Sequence, residues 1–201
     1  PENIVGKLSI ARTTDSNRLN SLLKRFQDSY PNVEISSYVG TSESQIKSYE
    51  ADVSIIPARY PPQDMVAKKI GTTVMHIYGS KDYLKGKNIK DLASLDWLSF
   101  RSDSVRPNTI DLIRRSVKNP NIKFASDSYS EILELTLAGS GVAFLADLDV
   151  ESNKDMQIIA PQKHYQNLHI WLVFHPDLVS NPRVQAFKKF LIKNANAVGI
   201  N

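Results

Sequence analysis

The 201-residue sequence contains no cysteine. A disulfide framework, a thiolate metal site and a cysteine nucleophile are therefore excluded. Long apolar runs are also missing, since the longest, GVAFLA (141–146) and IWLVF (170–174), have the length of strands. A membrane-spanning helix needs roughly 18–20 apolar residues. The opening segment PENIVG has neither the basic nor the apolar region of a secretory signal. We therefore expect no membrane partner, and we expect the chain to be an excised fragment of a longer protein.

Enzyme and metal-site motifs are missing as well. The GSG at 139–141 precedes a predicted strand, whereas a dinucleotide loop opens a helix after one, and there is no His-Glu-x-x-His or Gly-x-Ser-x-Gly. No two of the four histidines have a spacing that places them on one helix turn, and the two in predicted strands, His76 and His169, are better explained as structural. Asp147 and Asp149 begin a predicted helix, where the helix dipole explains them. We predict a non-enzymatic protein with no catalytic residue, metal or cofactor.

Composition and charge are those of a soluble globular protein. Hydrophobic residues make up 41% and charged residues 23%, which suffices for a core. The formal net charge is +4, but Lys and Arg are scattered among Asp and Glu. A nucleic-acid footprint is a clustered basic stripe, so a mixed solvated surface is favoured. The length permits one large domain or two small lobes.

Hydrophobic periodicity predicts an α/β protein. A strand at 7–12 precedes a helix whose residues Leu19, Leu22, Leu23 and Phe26 form one apolar stripe. The segment 33–40 alternates, and the nearly continuous apolar run at 51–58 is typical of a buried parallel strand. A similar series follows a break near 72–80, with two extended pieces separated at Gly71. Two α/β lobes are therefore predicted.

Three strand-to-helix junctions are rich in hydrogen-bonding groups: Thr13 to Ser16, Ser99 to Ser104 with Arg101, and Ser126 to Ser128. In open α/β sheets, ligands bind beyond the carboxyl ends of strands, where helix N-termini offer free N–H groups. Arg101 could pair with a carboxylate through two hydrogen bonds. Helix capping explains each junction alone, and Ser128 with Glu131 has the spacing of a capping box. The three together favour a ligand site.

Several phrases, in order, carry a family resemblance. They are LSIARTTDSNRLNSLLKRFQDSYPNVEIS, ADVSIIPARYPPQDMVAKKIG followed by VMHIYGS, LAGSGVAFLADLDV, and NPRVQAFKKFLI. The chain resembles the effector-binding domain of LysR-type transcriptional regulators over nearly its whole length. The resemblance implies an α/β, two-lobed fold like that of type II periplasmic binding proteins, with two crossover strands. Lobe I would hold 1–76 plus 168–201 and lobe II would hold 77–167. The N-terminal winged helix-turn-helix domain is absent from this chain.

The resemblance also implies a binding site and partners. A small effector would bind in the cleft between the lobes, on the residues Thr13, Thr14, Asp15, Ser16, Phe100, Arg101, Ser102 and Ser128. Many members carry a small or hydroxyl residue where this chain has Arg101, so an anionic effector is expected if Arg101 faces the cleft. A homodimer would form through the helices at 16–30 and 108–118, with a higher oligomer in the full-length protein. DNA would be bound only through the missing domain, in the cytoplasm.

Two other classes share this fold. A solute-binding protein of a transporter would carry an export signal or a lipid anchor upstream. A small-molecule enzyme would need a catalytic acid, a base or a covalently held cofactor, and the sequence offers no candidate for one. The regulatory domain is therefore the preferred hypothesis, with the periplasmic solute-binding protein as the alternative.

Overall fold

The computed structural model of the chain describes residues 4–12, 17–39, 50–100, 109–126, 128–150, 152–198 and 200. Within these ranges the secondary-structure elements follow the order β1 (Gly6–Arg12), α1 (Asn17–Ser29), β2 (Val33–Val39), β3 (Val53–Ala58), β4 (Val66–Ser80), α2 (Lys81–Leu84), β5 (Asp96–Phe100), α3 (Thr109–Ser116), β6 (Asn121–Ser126), α4 (Tyr129–Leu137), β7 (Val142–Ala146), α5 (Asp147–Val150), β8 (Met156–Ile159), β9 (Tyr165–Phe174) and α6 (Pro182–Asn194). Short 3-10 turns occur at Leu92–Ser94, Pro176–Leu178 and Ala195–Val198. The chain divides into two compact units. Unit 1 is Pro1–Thr73 with Leu168–Asn201, and unit 2 is Val74–Asn167.

Unit 1 is built on strands in the order β2-β1-β3-β9. Strand β1 is parallel to both β2 and β3, whereas β9 is antiparallel to β3. The predicted apolar stripe of α1 is confirmed, because all four of its residues are buried. Phe26 from that stripe meets Phe187 and Phe190 of α6 edge to face, with ring centroids 5.0 and 5.3 Å apart. Aromatic packing between two helices that are distant in sequence therefore helps to close the core of unit 1.

Unit 2 has its own strand order, β4-β7-β5-β6, and β8 pairs with β4. Strand β5 is parallel to β6 and β7, and β4 runs antiparallel to β7 and β8. All five residues of β7 are buried, as the sequence predicts. A Cβ at Gly141, just before β7, would lie 2.5 Å from the carbonyl oxygen of Asp96. Glycine is therefore required where β7 starts beside β5.

Two long strands carry the chain between the units. Strand β4 passes from unit 1 to unit 2 after Thr73, and β9 returns to unit 1 after Asn167. The break that the sequence predicts at Gly71 is wrong, because β4 is one strand of 15 residues. A glycine leaves the backbone hydrogen-bonding groups of a strand intact and removes only a side chain. Val66–Ser80 contains no proline that would remove a donor.

Candidate functional site

The parallel strands of each unit bring their carboxyl ends to one edge of that unit. In unit 2 the last residues of β5, β6 and β7 are Phe100, Ser126 and Ala146. We call this the carboxyl edge of unit 2. In unit 1, β1 and β3 end at Arg12 and Ala58. Ligands of open α/β sheets bind at such edges, so these edges are where the predicted site residues have to be sought.

Most of the predicted site residues lie outside the described part of the chain. These are Thr13, Thr14, Asp15, Ser16, Arg101 and Ser102. The two that are described, Phe100 and Ser128, both lie at the carboxyl edge of unit 2. Phe100 is buried, and its ring stacks on that of Tyr129 with centroids 5.6 Å apart and planes 16° apart. Because Tyr129 follows Ser128 directly, the structure places Phe100 against the first turn of α4.

Ser128 caps α4. Its hydroxyl oxygen accepts a hydrogen bond from the N–H of Glu131 at 3.3 Å, which is one half of the predicted capping box. The other half differs, because the Ser128 N–H donates to the hydroxyl of Ser126 at 3.0 Å, and that hydroxyl is hydrogen-bonded to the Glu131 carboxylate. The carboxylate of Glu131 thus lies in the first turn, where the helix dipole favours a negative charge. An anionic ligand here would need positively charged partners from other elements.

Tyr129 joins three elements at the same edge. Its hydroxyl oxygen accepts a hydrogen bond from the N–H of Ala146 at 2.9 Å, and the hydroxyl is also hydrogen-bonded to the Asp149 carboxylate. Burial, and secondarily the negative charge of Asp149, raise the pKa of Tyr129 well above its ordinary value. The hydroxyl therefore stays protonated and holds the start of α4 to the end of β7 and to α5.

A second polar cluster lies beside it and consists of His76, Tyr78 and Asp147. His76 Nδ1 is 2.7 Å from Asp147 Oδ1, and the hydroxyl of Tyr78 donates to the same oxygen at 2.9 Å. The side chains of His76 and Asp147 are only 15% and 25% exposed. The ring of Tyr165, at the start of β9, has its centroid 6.1 Å from that of His76. We call these four residues the His76 cluster.

From the sequence, His76 is explained as structural and Asp147 as a helix-dipole residue, and the contact between them is not predicted. The two residues are 71 positions apart, so neither helical nor strand periodicity connects them. One signal was available, since a histidine and a tyrosine two positions apart share one face of this strand. Pairing of β4 with β7, which places His76 opposite Leu145, then brings His76 next to Asp147.

The carboxyl edge of unit 1 combines aromatic groups with positively charged ones. The indole N–H of Trp171 donates to the carbonyl oxygen of Ala58 at 3.1 Å, and the His169 ring meets Trp171 edge to face at 5.7 Å. Arg12 ends β1, and its guanidinium donates to the side-chain oxygen of Asn20 on α1. A positive charge is thereby fixed at this edge, immediately before the predicted site residues 13–16.

No metal site or membrane helix emerges from the ranges that the structure describes. No group of three or more His, Cys, Asp or Glu side chains there is arranged to hold a metal ion. None of the helices in those ranges has the length and apolar character that crossing a membrane requires. The described edges offer hydrogen-bonding, charged and aromatic side chains, which are the kinds of groups that line small-molecule sites in proteins.

Comparison with known proteins gives one family and one fold. The family of LysR substrate binding domains matches residues 4–196. The regulatory domain of CrgA, a LysR-type transcriptional regulator from Neisseria meningitidis, is similar with a TM-score of 0.77 and 17% identity, covering 95% of this chain and 99% of that one. A further CrgA structure has a TM-score of 0.80 and 18% identity, and the match covers 98% of this chain and 70% of that one. The regulatory domain of AphB in Vibrio vulnificus has a TM-score of 0.68 and 16% identity, and the match covers 94% of this chain and 99% of that one. No curated protein is similar enough in sequence to count as a relative. The neighbours share the two-lobed α/β fold, like that of periplasmic binding proteins, which the sequence predicts.

Proposed function

This chain belongs to the LysR substrate-binding domain family, and from that premise we propose that it senses a small anionic effector on behalf of a LysR-type transcriptional regulator. The family is a regulatory, non-enzymatic one. Units 1 and 2 correspond in this proposal to lobes I and II, and the effector binds at their carboxyl edges. The observation that carries the proposal is the convergence of Phe100, Tyr129 and the His76 cluster on the carboxyl edge of unit 2.

An anionic effector is favoured by the groups that can carry a positive charge at these edges. Arg12 ends β1 in unit 1, and His76 lies beside the end of β7 in unit 2. Arg101, which directly follows β5 in the sequence, would add a guanidinium able to pair with a carboxylate through two hydrogen bonds. Glu131 already supplies the negative charge that the α4 dipole favours, so these cations are the groups that would neutralise the effector.

Titration calorimetry tests the role of Arg101. A thermal-shift screen of small carboxylates and inorganic anions would first identify a binder. Arg101→Ala should then weaken binding of that compound by about 1.5–3 kcal/mol, the range for hydrogen bonds to charged groups. Lys90→Ala is the control, because it removes one positive charge from an exposed position of the same unit. Equal affinity in the Arg101→Ala variant and the wild type would remove Arg101 from the site.

For signal transmission we propose a homodimer that uses the predicted helices 16–30 and 108–118, which correspond to α1 and α3. The outer strands of the two units also favour association with another chain. Strand β2 is the outer strand of unit 1, and β6 is the outer strand of unit 2. Residues 121–125 of β6 are all exposed, including Ile122 at 38% and Phe124 at 37%. An exposed edge strand with apolar side chains favours association with another chain.

Sedimentation tests the dimer. Arg18→Glu in α1 and Phe124→Glu in β6 should each shift the chain toward monomer, because each places a carboxylate in the proposed contact. Lys87→Glu, which reverses an exposed charge in the loop after α2, is the control. An unchanged dimer in both variants would count against these faces. In a full-length regulator, the effector would bias this oligomer, and through it the DNA-binding domains, by binding two arrangements with different affinity.

The coding sequence upstream of Pro1 separates this proposal from the solute-binding alternative. A winged helix-turn-helix there would establish a DNA-bound regulator acting in the cytoplasm. An export signal there would instead indicate a periplasmic binding protein, and the dimer and DNA proposals would then fail together.

A further inference from the structure

Building on the proposed function, we infer that His76 contacts the effector directly. Its Nε2 binds an acidic oxygen, of a carboxylate or a phosphate, and the imidazole takes up a proton from solvent as it does so. Asp147 is the positioning residue that orients the ring, and Tyr78 holds Asp147. The inference gives this edge of unit 2 a stated ligand chemistry, and it rests on the geometry of the His76 cluster.

The orientation of the imidazole is fixed by the carboxylate beside it. Nδ1 lies 2.7 Å from Asp147 Oδ1, and a carboxylate can only accept, so Nδ1 carries the hydrogen. The hydroxyl of Tyr78 donates to the same oxygen at 2.9 Å and keeps the carboxylate in place. Histidines held in this way by a carboxylate present the second ring nitrogen in one orientation. Nε2 is therefore the atom of His76 that is directed away from its partner.

Nε2 is the ring nitrogen that we assign to the ligand. Among the residues that the structure describes, Asp147 forms the hydrogen bond to the ring, and it does so at Nδ1. The His76 side chain as a whole is 15% exposed, so part of it reaches the surface. A partly exposed imidazole nitrogen can accept a hydrogen bond from a bound molecule or donate one to it.

His76 stands among groups that carry no positive charge. It is faced by Tyr78 from its own strand, by Asp147 from α5 and by Tyr165 from β9. Within these four residues of the His76 cluster, His76 is the one group that can become a cation. Asp149 is hydrogen-bonded to Tyr129, which directs its charge toward the buried hydroxyl.

This arrangement couples binding to protonation. With a neutral imidazole, the pair of His76 and Asp147 has a net charge of −1 and repels an anion. With an imidazolium, the pair is neutral, Nδ1–H still donates to Asp147, and Nε2–H can donate to the incoming oxygen. Opposite charges on both sides favour the charged ring. An acidic oxygen therefore binds together with up to one proton, which is supplied by water or buffer, and no covalent bond changes.

Calorimetry in two buffers that differ in ionisation enthalpy measures this proton directly. The probes are acetate and inorganic phosphate, titrated into the 201-residue chain at one pH. The wild type should take up protons on binding at least one probe. His76→Gln should bind that probe about tenfold or more weakly and take up no proton. His164→Gln, the same substitution elsewhere in unit 2, should change neither quantity, and circular dichroism verifies that the variants are folded.

A second variant separates positioning from contact. Asp147→Asn keeps an acceptor for Nδ1 but removes the charge, so the probe should still bind, and the pH dependence of its affinity should move to lower pH. If a probe binds and His76→Gln keeps wild-type affinity and wild-type proton uptake, the inference is wrong and the proposed function still stands. If neither probe binds the wild type, while a cationic or neutral compound from the screen does, both the inference and the anionic effector are wrong.

Discussion

Replacing Tyr129 with phenylalanine removes one oxygen atom from the position that joins α4, β7 and α5. Tyr129 is 8% exposed, and its hydroxyl accepts from the Ala146 N–H at 2.9 Å while hydrogen-bonded to Asp149. The ring itself would remain, so its stacking on Phe100 would be retained. Tyr129→Phe therefore measures the hydroxyl alone.

The expected loss follows from the groups left behind. The Ala146 N–H is buried, and an unsatisfied buried donor costs about 1–3 kcal/mol. Asp149 loses one donor in addition. We expect Tyr129→Phe to lower the free energy of unfolding by about this amount. At about 2–4 °C per kcal/mol for a chain of this size, the melting temperature should fall by about 2–12 °C.

Tyr60→Phe is the matched control, because it makes the same chemical change at a side chain that is 69% exposed. It should stay within about 0.5 kcal/mol of the wild type, as surface substitutions usually do. Chemical denaturation followed by circular dichroism measures both variants. A Tyr129→Phe variant as stable as Tyr60→Phe would refute the reasoning that this hydroxyl is structurally required.

The same residue makes a prediction about pH. Its folded-state pKa is raised, first by burial and then by Asp149. The unfolded phenol ionises near its ordinary pKa of about 10, so above that pH the unfolded state binds fewer protons than the folded state. The stability is therefore fully present below about pH 10 and is lost as the pH rises toward the folded-state pKa. Alkaline unfolding curves should be shallower for Tyr129→Phe than for the wild type, and equal slopes would contradict this.

Three further predictions concern other sites. Gly141→Ala should destabilise the chain by about 1–3 kcal/mol, the cost of overpacking, because its Cβ would meet the Asp96 carbonyl oxygen at 2.5 Å; a normal melting temperature would contradict the close approach. Asn181→Ala should lower the free energy of unfolding by about 1 kcal/mol, because Asn181 Oδ1 accepts hydrogen bonds from two N–H groups at the start of α6. Asn181→Asp should retain this cap and the wild-type melting temperature. Burial, and then Lys163, lower the folded-state pKa of His164. The wild type therefore loses stability as the pH falls below the unfolded-state pKa of about 6.5. His164→Gln should make the free energy of unfolding less sensitive to acid.

The fold could be predicted from the sequence where one element's pattern was enough. The stripe of α1 and the buried run of β7 each follow from local periodicity, and both are confirmed. The family resemblance added the fold class, which the comparisons confirm. The predicted break at Gly71 was wrong because a glycine ends many strands, whereas the continuation of β4 through Gly71 depends on the sheet rather than on the local sequence.

The candidate site was harder to predict, because its contacts join distant positions. The capping role of Ser128 is local in sequence and was predictable, whereas the Ser126 contact of Glu131 depends on how β6 enters α4. The pair of His76 and Asp147 forms only after β4 pairs with β7. The roles of Phe100 and Arg101 in effector binding stay predictions for the titration experiments.

The passage of β4 and β9 between the units has a consequence for the order in which the protein folds during synthesis. Unit 2 is one continuous stretch, Val74–Asn167, whereas unit 1 needs Leu168–Asn201 in addition to its first part. Those later residues supply β9, which pairs with β3, and α6, whose aromatic rings close on Phe26. Although its first strand leaves the ribosome earlier, unit 1 is expected to finish folding second. A released chain truncated after Asn167 should protect the amides of β7 from hydrogen exchange while those of β1 still exchange; equal protection of both strands would contradict this order.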